Sequence, residues 1–291
     1  MNILTKIYKE LCNTKKLSQI VFFILVIIWL SISFIFPNLT LLLISFFERD
    51  EYSIFTTNFT INNYLKLFSS VYFVIFSKTF IISLTVTVIC LIISYPFAFY
   101  ISQNIKNKSL KDILFILIII PFWTSPLLRS YSIMSILKIN GLINQLLIKV
   151  GIIQHPIMLL YSWNAMIIGL VYSLLPLMIM PLYIIFEKLQ KNYLDAAKDL
   201  GATKIDLFYF IITPLSKPGI ITGSILVFLS SISMFFIPEM LGGNKDILLG
   251  NLIKNKFLIS YDWTFGASII NIINFTIIIT SYIYSRFYKK S

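Results

Sequence analysis

The chain has 291 residues, 58% of them hydrophobic, and a mean hydropathy of +0.87. Soluble domains sit near about 45–50% apolar, so this composition excludes an ordinary soluble domain and indicates an integral membrane protein. The net charge of +12 does not indicate nucleic acid, because the basic residues lie between apolar runs and gather on no soluble domain. Two cysteines, Cys12 and Cys90, make neither a disulfide framework nor a CxxC metal pair, and the single histidine, His155, leaves no histidine metal cluster.

In chain order, 1–16 is a polar, basic segment. The apolar run 17–47 predicts the first transmembrane helix, since about 20 residues suffice to cross. It is too long for the h-region of a signal peptide and lacks a small-residue cleavage site. Pro37 is expected to kink or end it. The external segment 48–78 follows, with a short surface helix expected over Tyr64–Phe76. Span two runs from Thr79 to Ile101, ahead of a basic loop with Lys106, Lys108 and Lys111. Span three, from Ile113 to Leu137, is interrupted by Pro121 and Pro126. Span four covers Met158–Phe186 with Pro176 and Pro181 inside it, and span five covers Ile220–Ile237. A Gly-rich segment, Glu239–Asp262, leads to span six, Phe265–Tyr284, and 286–291 is a basic tail. Spans two to six make one transmembrane domain, 79–285. The concentration of prolines at Pro121–Pro126 and Pro176–Pro181 fits helices that bend around a pathway, whereas for any single proline ordinary kinked packing is the better reading; neighbours or water satisfy the backbone groups they free.

The longest polar interruption of the second half is 187–219. Glu187–Leu200 is rich in helix formers, with Ala196 and Ala197 at its centre and Gly201 where a helix end wants a left-handed residue. Thr203 is an N-cap candidate with Asp206 three positions on, near a capping box. The helix begun there carries Ile205, Leu207, Phe208, Phe210, Ile211 and Ile212, and Pro214 and Pro218 are expected to stop it. A tethered amphipathic helix docks into a groove on a soluble partner or lies on the lipid surface. Six spans put both termini on one side. With that side cytoplasmic, 15 of the 24 Lys and Arg are inside: four in 1–16, three in the loop after span two, five between Lys188 and Lys217, and three in the tail. The positive-inside rule then places 187–219 in the cytoplasm.

Asp195-Ala196-Ala197, then Gly201, then Ile211-Ile212-Thr213-Pro214-Leu215 resembles the EAA loop of permease subunits in binding-protein-dependent ABC importers. The distance from Ala197 to Gly201 is kept and Ile211 comes ten positions after Gly201, with nine residues between them. Asp195 replaces the family's Glu, and Thr213-Pro214 replaces Leu-Pro. A second region, Pro121 to Leu137 with Gly141-Leu142-Ile143-Asn144, is similar to permeases of spermidine/putrescine importers, B-type. So is Phe236 to Gly243, continuing through Ile247–Ile253 to Asp262–Ala267. The resemblance implies an all-α, six-helix type I ABC importer permease fold with cytoplasmic EAA-like coupling helices, in the bacterial inner membrane. It implies that Asp195, Ala196, Ala197, Gly201, Asp206, Ile211 and Pro214 couple to the ATPase. The implied partners are a dimer of ABC ATPase subunits, a second homologous permease, an extracytoplasmic solute-binding protein and a polyamine substrate, with no nucleic acid. No GxxxxGK[ST] phosphate loop is present, so the chain has no means of holding ATP. The resemblance further implies no catalytic residues, metal site or cofactor on this chain, with ATP and Mg held by the partner ATPase.

Charged groups at membrane depth are functional candidates. A polyamine is a chain of ammonium groups, recognised by carboxylates and aromatic faces. Trp123, Tyr131, Glu239, Asp262 and Trp263 offer that chemistry; the alternative is an interfacial aromatic belt with wetted outer acids. Arg129 pairs with Glu239 or snorkels outward, and it would equally suit an anion. The same fold serves sulfate, ferric ion or phosphonate as alternative solutes. A secondary transporter driven by an ion gradient is the further alternative; that class carries acids at the bilayer centre, and none appears here.

Overall fold

The computed structural model describes residues 21–50, 56, 58–189, 191–243 and 247–288, so the segment 1–16 and residues 289–291 of the tail lie outside the described residues. The elements in chain order are α1 (Val21–Ile44), α2 (Asn62–Leu67), α3 (Ser70–Asn104), α4 (Lys108–Trp123), α5 (Pro126–Leu137), α6 (Leu142–Lys149), α7 (Trp163–Lys188), α8 (Lys191–Asp199), α9 (Lys204–Ser233), a helical turn Pro238–Gly242, α10 (Leu249–Leu258) and α11 (Trp263–Tyr288). Among the described residues the only β feature is the isolated bridge between Phe47 and Phe59. An all-helical chain follows from the composition, because in hydrocarbon a helix satisfies its own backbone groups. Five helical stretches are long and apolar enough to cross a membrane, Val21–Ile44, Ser70–Asn104, Pro126–Lys149, Trp163–Lys188 and Lys204–Ser233, and Trp263–Ile279 is a shorter apolar helix.

Several boundaries differ from the sequence expectation. Pro37 neither ends nor breaks α1: a wide turn, Ser31–Ile35, precedes it, with the Phe36 N–H donating to the Ser31 carbonyl five residues back. The Asn38 amide takes up the Phe34 carbonyl at 2.8 Å. The surface helix expected over Tyr64–Phe76 is only Asn62–Leu67, and residues from Ser70 already belong to α3. Span three is two helices, parted at Thr124 and Ser125, whose backbones are extended; Pro121 lies inside α4 and Pro126 opens α5. Residues 158–162 are not helical, and α7 starts at Trp163, where the Ser162 hydroxyl accepts from the Ala165 N–H. The segment expected as a Gly-rich connection after Glu239 contains α10, and the expected tail is helical to Tyr288.

The chain divides into two units. Residues 70–254 form one, 1–69 with 255–291 the other. In the 70–254 unit, α3, α7 and α9 pack on one another around α7, and Val86, Met166, Leu170, Met178, Leu182 and Val227 are fully buried. Helix α9 comes close to α7 at Gly223, where an added Cβ would stand 2.7 Å from the Met178 sulfur and 3.3 Å from the Met178 carbonyl oxygen. Small residues let membrane helices meet backbone to backbone in this way. In the other unit, buried polar groups tie the elements. Asn63 donates to the carbonyls of Ser45 and Phe47 at 3.0 and 2.9 Å, and the Ser45 hydroxyl meets that of Tyr64 at 2.8 Å. Asn271 reaches the Leu41 carbonyl. Helix α1 buries none of its residues, which leaves an apolar cylinder suited to lipid.

Candidate functional site

The 187–219 loop is built from local hydrogen bonds. Helix α7 closes at Lys188, and the side-chain amide of Gln103, at the end of α3, donates to the carbonyls of Phe186 and Leu189. Helix α8 carries Asp195, Ala196 and Ala197; Asp195 pairs with Lys198 at 2.9 Å on the exposed face. The helix ends in a Schellman motif. The Gly201 N–H donates to the Lys198 carbonyl at 2.8 Å and the Ala202 N–H to that of Ala197 at 3.0 Å. Gly201 sits at φ +84, with nothing among the described residues within 4 Å of a Cβ added there. Backbone conformation alone therefore demands glycine at this position.

Two residues later α9 begins with a complete capping box. The Thr203 hydroxyl accepts from the Asp206 N–H, and the Asp206 carboxylate accepts from the Thr203 N–H at 2.9 Å and from its hydroxyl at 2.6 Å. In this solvent-facing first turn the hydroxyl and then the N–H of Thr203 hold the Asp206 carboxyl below the usual carboxylate range. Pro214 and Pro218 do not stop the helix as the sequence reading expects. A wide turn, Leu207–Ile212, absorbs the missing donor of Pro214, and the Thr213 N–H reaches the Phe208 carbonyl five residues back. Wide turns of this kind reconcile a proline with a continuing helix. Within the wide turn Ile211 is half-buried and Ile212 is buried, while Pro214 is exposed. Leu200, Ile205, Tyr209 and Phe210 face outward, so the loop presents an apolar surface. A cleft of 550 Å³ opens between α8, the start of α9 and the end of α3, with Gln103, Asp195, Lys198 and Phe208 on its walls. Tyr95, on α3, bonds the Ser216 hydroxyl at 3.0 Å and fastens the base of α9.

Of the pathway candidates, Trp123, Tyr131 and Glu239 belong to the 70–254 unit and Asp262 and Trp263 to the other. Trp123, at the end of α4, is 83% exposed, and Tyr131 on α5 is 59% exposed. Glu239 does not pair with Arg129. Its two carboxylate oxygens accept from Lys254 Nζ at 2.6 and 2.7 Å. Arg129 is buried: its guanidinium donates to the Ser173 carbonyl at 3.3 Å and lies over the Phe122 ring at 5.6 Å, while its Nε has no partner among the described residues. The structure thus replaces both sequence alternatives for Arg129, pairing with Glu239 and snorkelling outward, with burial against α7. In the other unit Asp262 is 8% exposed and starts α11, accepting from the Phe265 N–H and the Thr264 hydroxyl, with Lys256 at 3.4 Å and Arg49 at 3.9 Å. Its neighbour Trp263 rests against Phe257 with its indole N–H buried.

A cavity of 690 Å³ is bounded by Met158, Leu160, Tyr161, Ser162 and Glu239. Sequence reasoning missed Lys254, fifteen residues from Glu239, and Tyr161, whose backbone sits at φ 58. No spacing rule links the first pair. Nothing in a tyrosine announces a left-handed backbone. Gln103 carried a weak signal, as a polar residue at the end of a span.

Residues 94–289 match the family model described as a binding-protein-dependent transport system inner membrane component. The spermidine/putrescine transport system permease protein PotB of Salmonella typhimurium is 40% identical over 256 residues, covering 88% of each chain. The protein of the same description from Haemophilus influenzae is 43% identical over 241 residues, covering 83% of this chain and 84% of that one. The fold is that of a bacterial ABC transporter involved in the import of the acidic polysaccharide alginate, with a TM-score of 0.69 and 16% identity over 97% of this chain and 98% of that one. A second crystal structure, of the bacterial alginate ABC transporter in complex with an alginate pentasaccharide-bound periplasmic protein, gives 0.71 over 94% of each. This chain belongs to the family of binding-protein-dependent transport system inner membrane components.

Proposed function

We propose that the chain is the permease subunit of an ABC importer for polyamines, spermidine or putrescine, coupled through 187–219 to a separate ATPase chain. A second permease completes the pathway, and a solute-binding protein delivers the substrate from outside. The observation that carries the substrate is the identity of 40–43% to permeases described as spermidine/putrescine transporters, over more than four fifths of the chain. The coupling role is supported by the short helix α8, closed by its Schellman motif, and the first turn of α9, opened by its capping box, with Leu200, Ile205 and Tyr209 turned outward. ATP binding moves such a device only if the ATPase contacts differ between two arrangements of the spans. The termini and the loop lie on the cytoplasmic side in this reading.

One observation favours a second solute class. Among the described residues no carboxylate pairs with Arg129, and a buried guanidinium suits a sulfate-like anion.

The test is ATP-driven uptake of spermidine and of putrescine by the complete complex in lipid vesicles, against sulfate as the alternative. Polyamine uptake is expected, and its absence with sulfate uptake present decides for the anion. In the same vesicles Gly201→Pro or Asp195→Lys is expected to release ATP hydrolysis from uptake. Proline cannot take up φ +84 and loses the N–H given to Lys198, a cost of about 3 kcal/mol to the loop. Uptake and hydrolysis both unchanged would mean that the loop is a lipid-surface helix.

A further inference from the structure

The ion pair of Glu239 with Lys254 has the chemistry of a ligand site already filled. Lys254 Nζ touches both carboxylate oxygens, at 2.6 and 2.7 Å, and lies 5.7 Å from the centroid of the Phe235 ring. A carboxylate and an aromatic face are the two groups that hold a primary alkyl ammonium. The lysine head is itself a primary ammonium on an alkyl stem, the same group that ends a polyamine. Resting on the polyamine reading above, we infer that Glu239 and Phe235 form an ammonium site, with Lys254 as its resident occupant, and that a substrate ammonium displaces Lys254 during transport.

The structure supports exchange over simple fastening. The pair is accessible, with side chains 24% exposed at Lys254 and 43% at Glu239. Ion pairs exposed to this degree are weak and readily replaced. Exchange keeps the charge balance of the carboxylate, because one ammonium leaves as another arrives.

Glu239 also borders the 690 Å³ cavity, a volume within the range of small-molecule sites, together with Tyr161 and Ser162. Tyr161 stands on that wall at φ 58, a backbone conformation that an aromatic residue adopts at a cost and that gathers at working sites. Finally, the turn does not need the ion pair to hold its place. The Asn251 amide donates to the Phe235 carbonyl at 2.8 Å, and the Leu249 N–H donates to the Thr79 hydroxyl at 3.0 Å.

The test compares concentration dependence of spermidine uptake by the complete complex carrying Lys254→Met, Glu239→Gln or Lys254→Arg, with complex yield as the control for assembly. Removing the resident ammonium is expected to lower KM by about two- to five-fold, and removing the carboxylate to raise it by at least as much. Lys254→Arg, which keeps a cation in place, is expected to return KM toward the parent value. Lys254→Gln serves as the second variant should Lys254→Met fail to assemble. Opposite shifts of KM in the lysine and glutamate variants support the resident-occupant site. Shifts in the same direction, or no shift on removing Lys254, overturn it and leave the pair as a fastener. Absence of spermidine uptake by the parent complex overturns the polyamine reading itself, a result separate from either.

Discussion

The loop 187–219 and the turn from Met234 to Lys254 are both bends attached to α9, one at each end, and they are held by opposite means. At the first, the bonds that cap α8 and open α9 join residues three to five apart, Gly201 to Lys198, Ala202 to Ala197 and Thr203 to Asp206, while Gln103 and Tyr95 of α3 fasten only its two ends. At the second, the bonds are distant in sequence. Glu239 meets Lys254, Asn251 reaches back to Phe235, and Leu249 is tied to Thr79 on another helix. A bend held locally keeps its shape when its surroundings move, whereas one held by distant groups changes whenever those groups do. The first suits a part that must be gripped, and the second a part that must open.

That contrast can be broken experimentally. The largest effect is expected at the distant end. Thr79→Val keeps the shape of the side chain but removes the acceptor of the buried Leu249 N–H, at a cost of about 1–3 kcal/mol. Amide exchange is expected to accelerate across 247–254 and to leave 195–206 unchanged; acceleration in both would refute the independence of the two bends. Thr203→Ala is the mirror experiment, worth about 1 kcal/mol through loss of the cap, with faster exchange confined to the first turn of α9.

The smallest effect is one of pH. Because Thr203 depresses the Asp206 carboxyl, its contribution is complete at neutral pH. It begins to fade as the pH falls through the ordinary Asp value of 3.8 and is gone below the lowered folded value. The difference in melting temperature between the parent and Thr203→Ala is therefore expected to narrow on acidification through that window. A constant difference would show that Asp206 is not the cap's partner in solution.

The same division explains what was legible in the amino-acid sequence. The left-handed residue at Gly201 and the cap at Thr203 could be read because their causes lie within five residues. The apolar runs were legible for the similar reason that a helix long enough to cross lipid leaves a continuous record. The prolines misled. Pro214 and Pro218 read as stops and Pro37 as a kink or an end, yet α1 and α9 continue through them, with wide turns at Ser31–Ile35 and Leu207–Ile212 ahead of Pro37 and Pro214. A single sequence records the lost donor but not the turn that absorbs it. The partners of Glu239 and Arg129 were illegible altogether. Each is chosen by helix packing, which brings together residues with no fixed separation.

The persistence of α9 through its prolines has a mechanical consequence. Thirty residues of unbroken helix make a strut about 45 Å long. Its foot is pinned at the Thr203 cap, and its head meets the turn that carries Glu239. No slack connection lies between, so a tilt of about 5° at the foot displaces the head by about 4 Å, more than the reach of a hydrogen bond. The wide turn beside Pro214 stands close to the foot, where any yielding of the strut would be felt most at the far end. The leverage is a property of one helix, requiring no relay of side chains between the two bends.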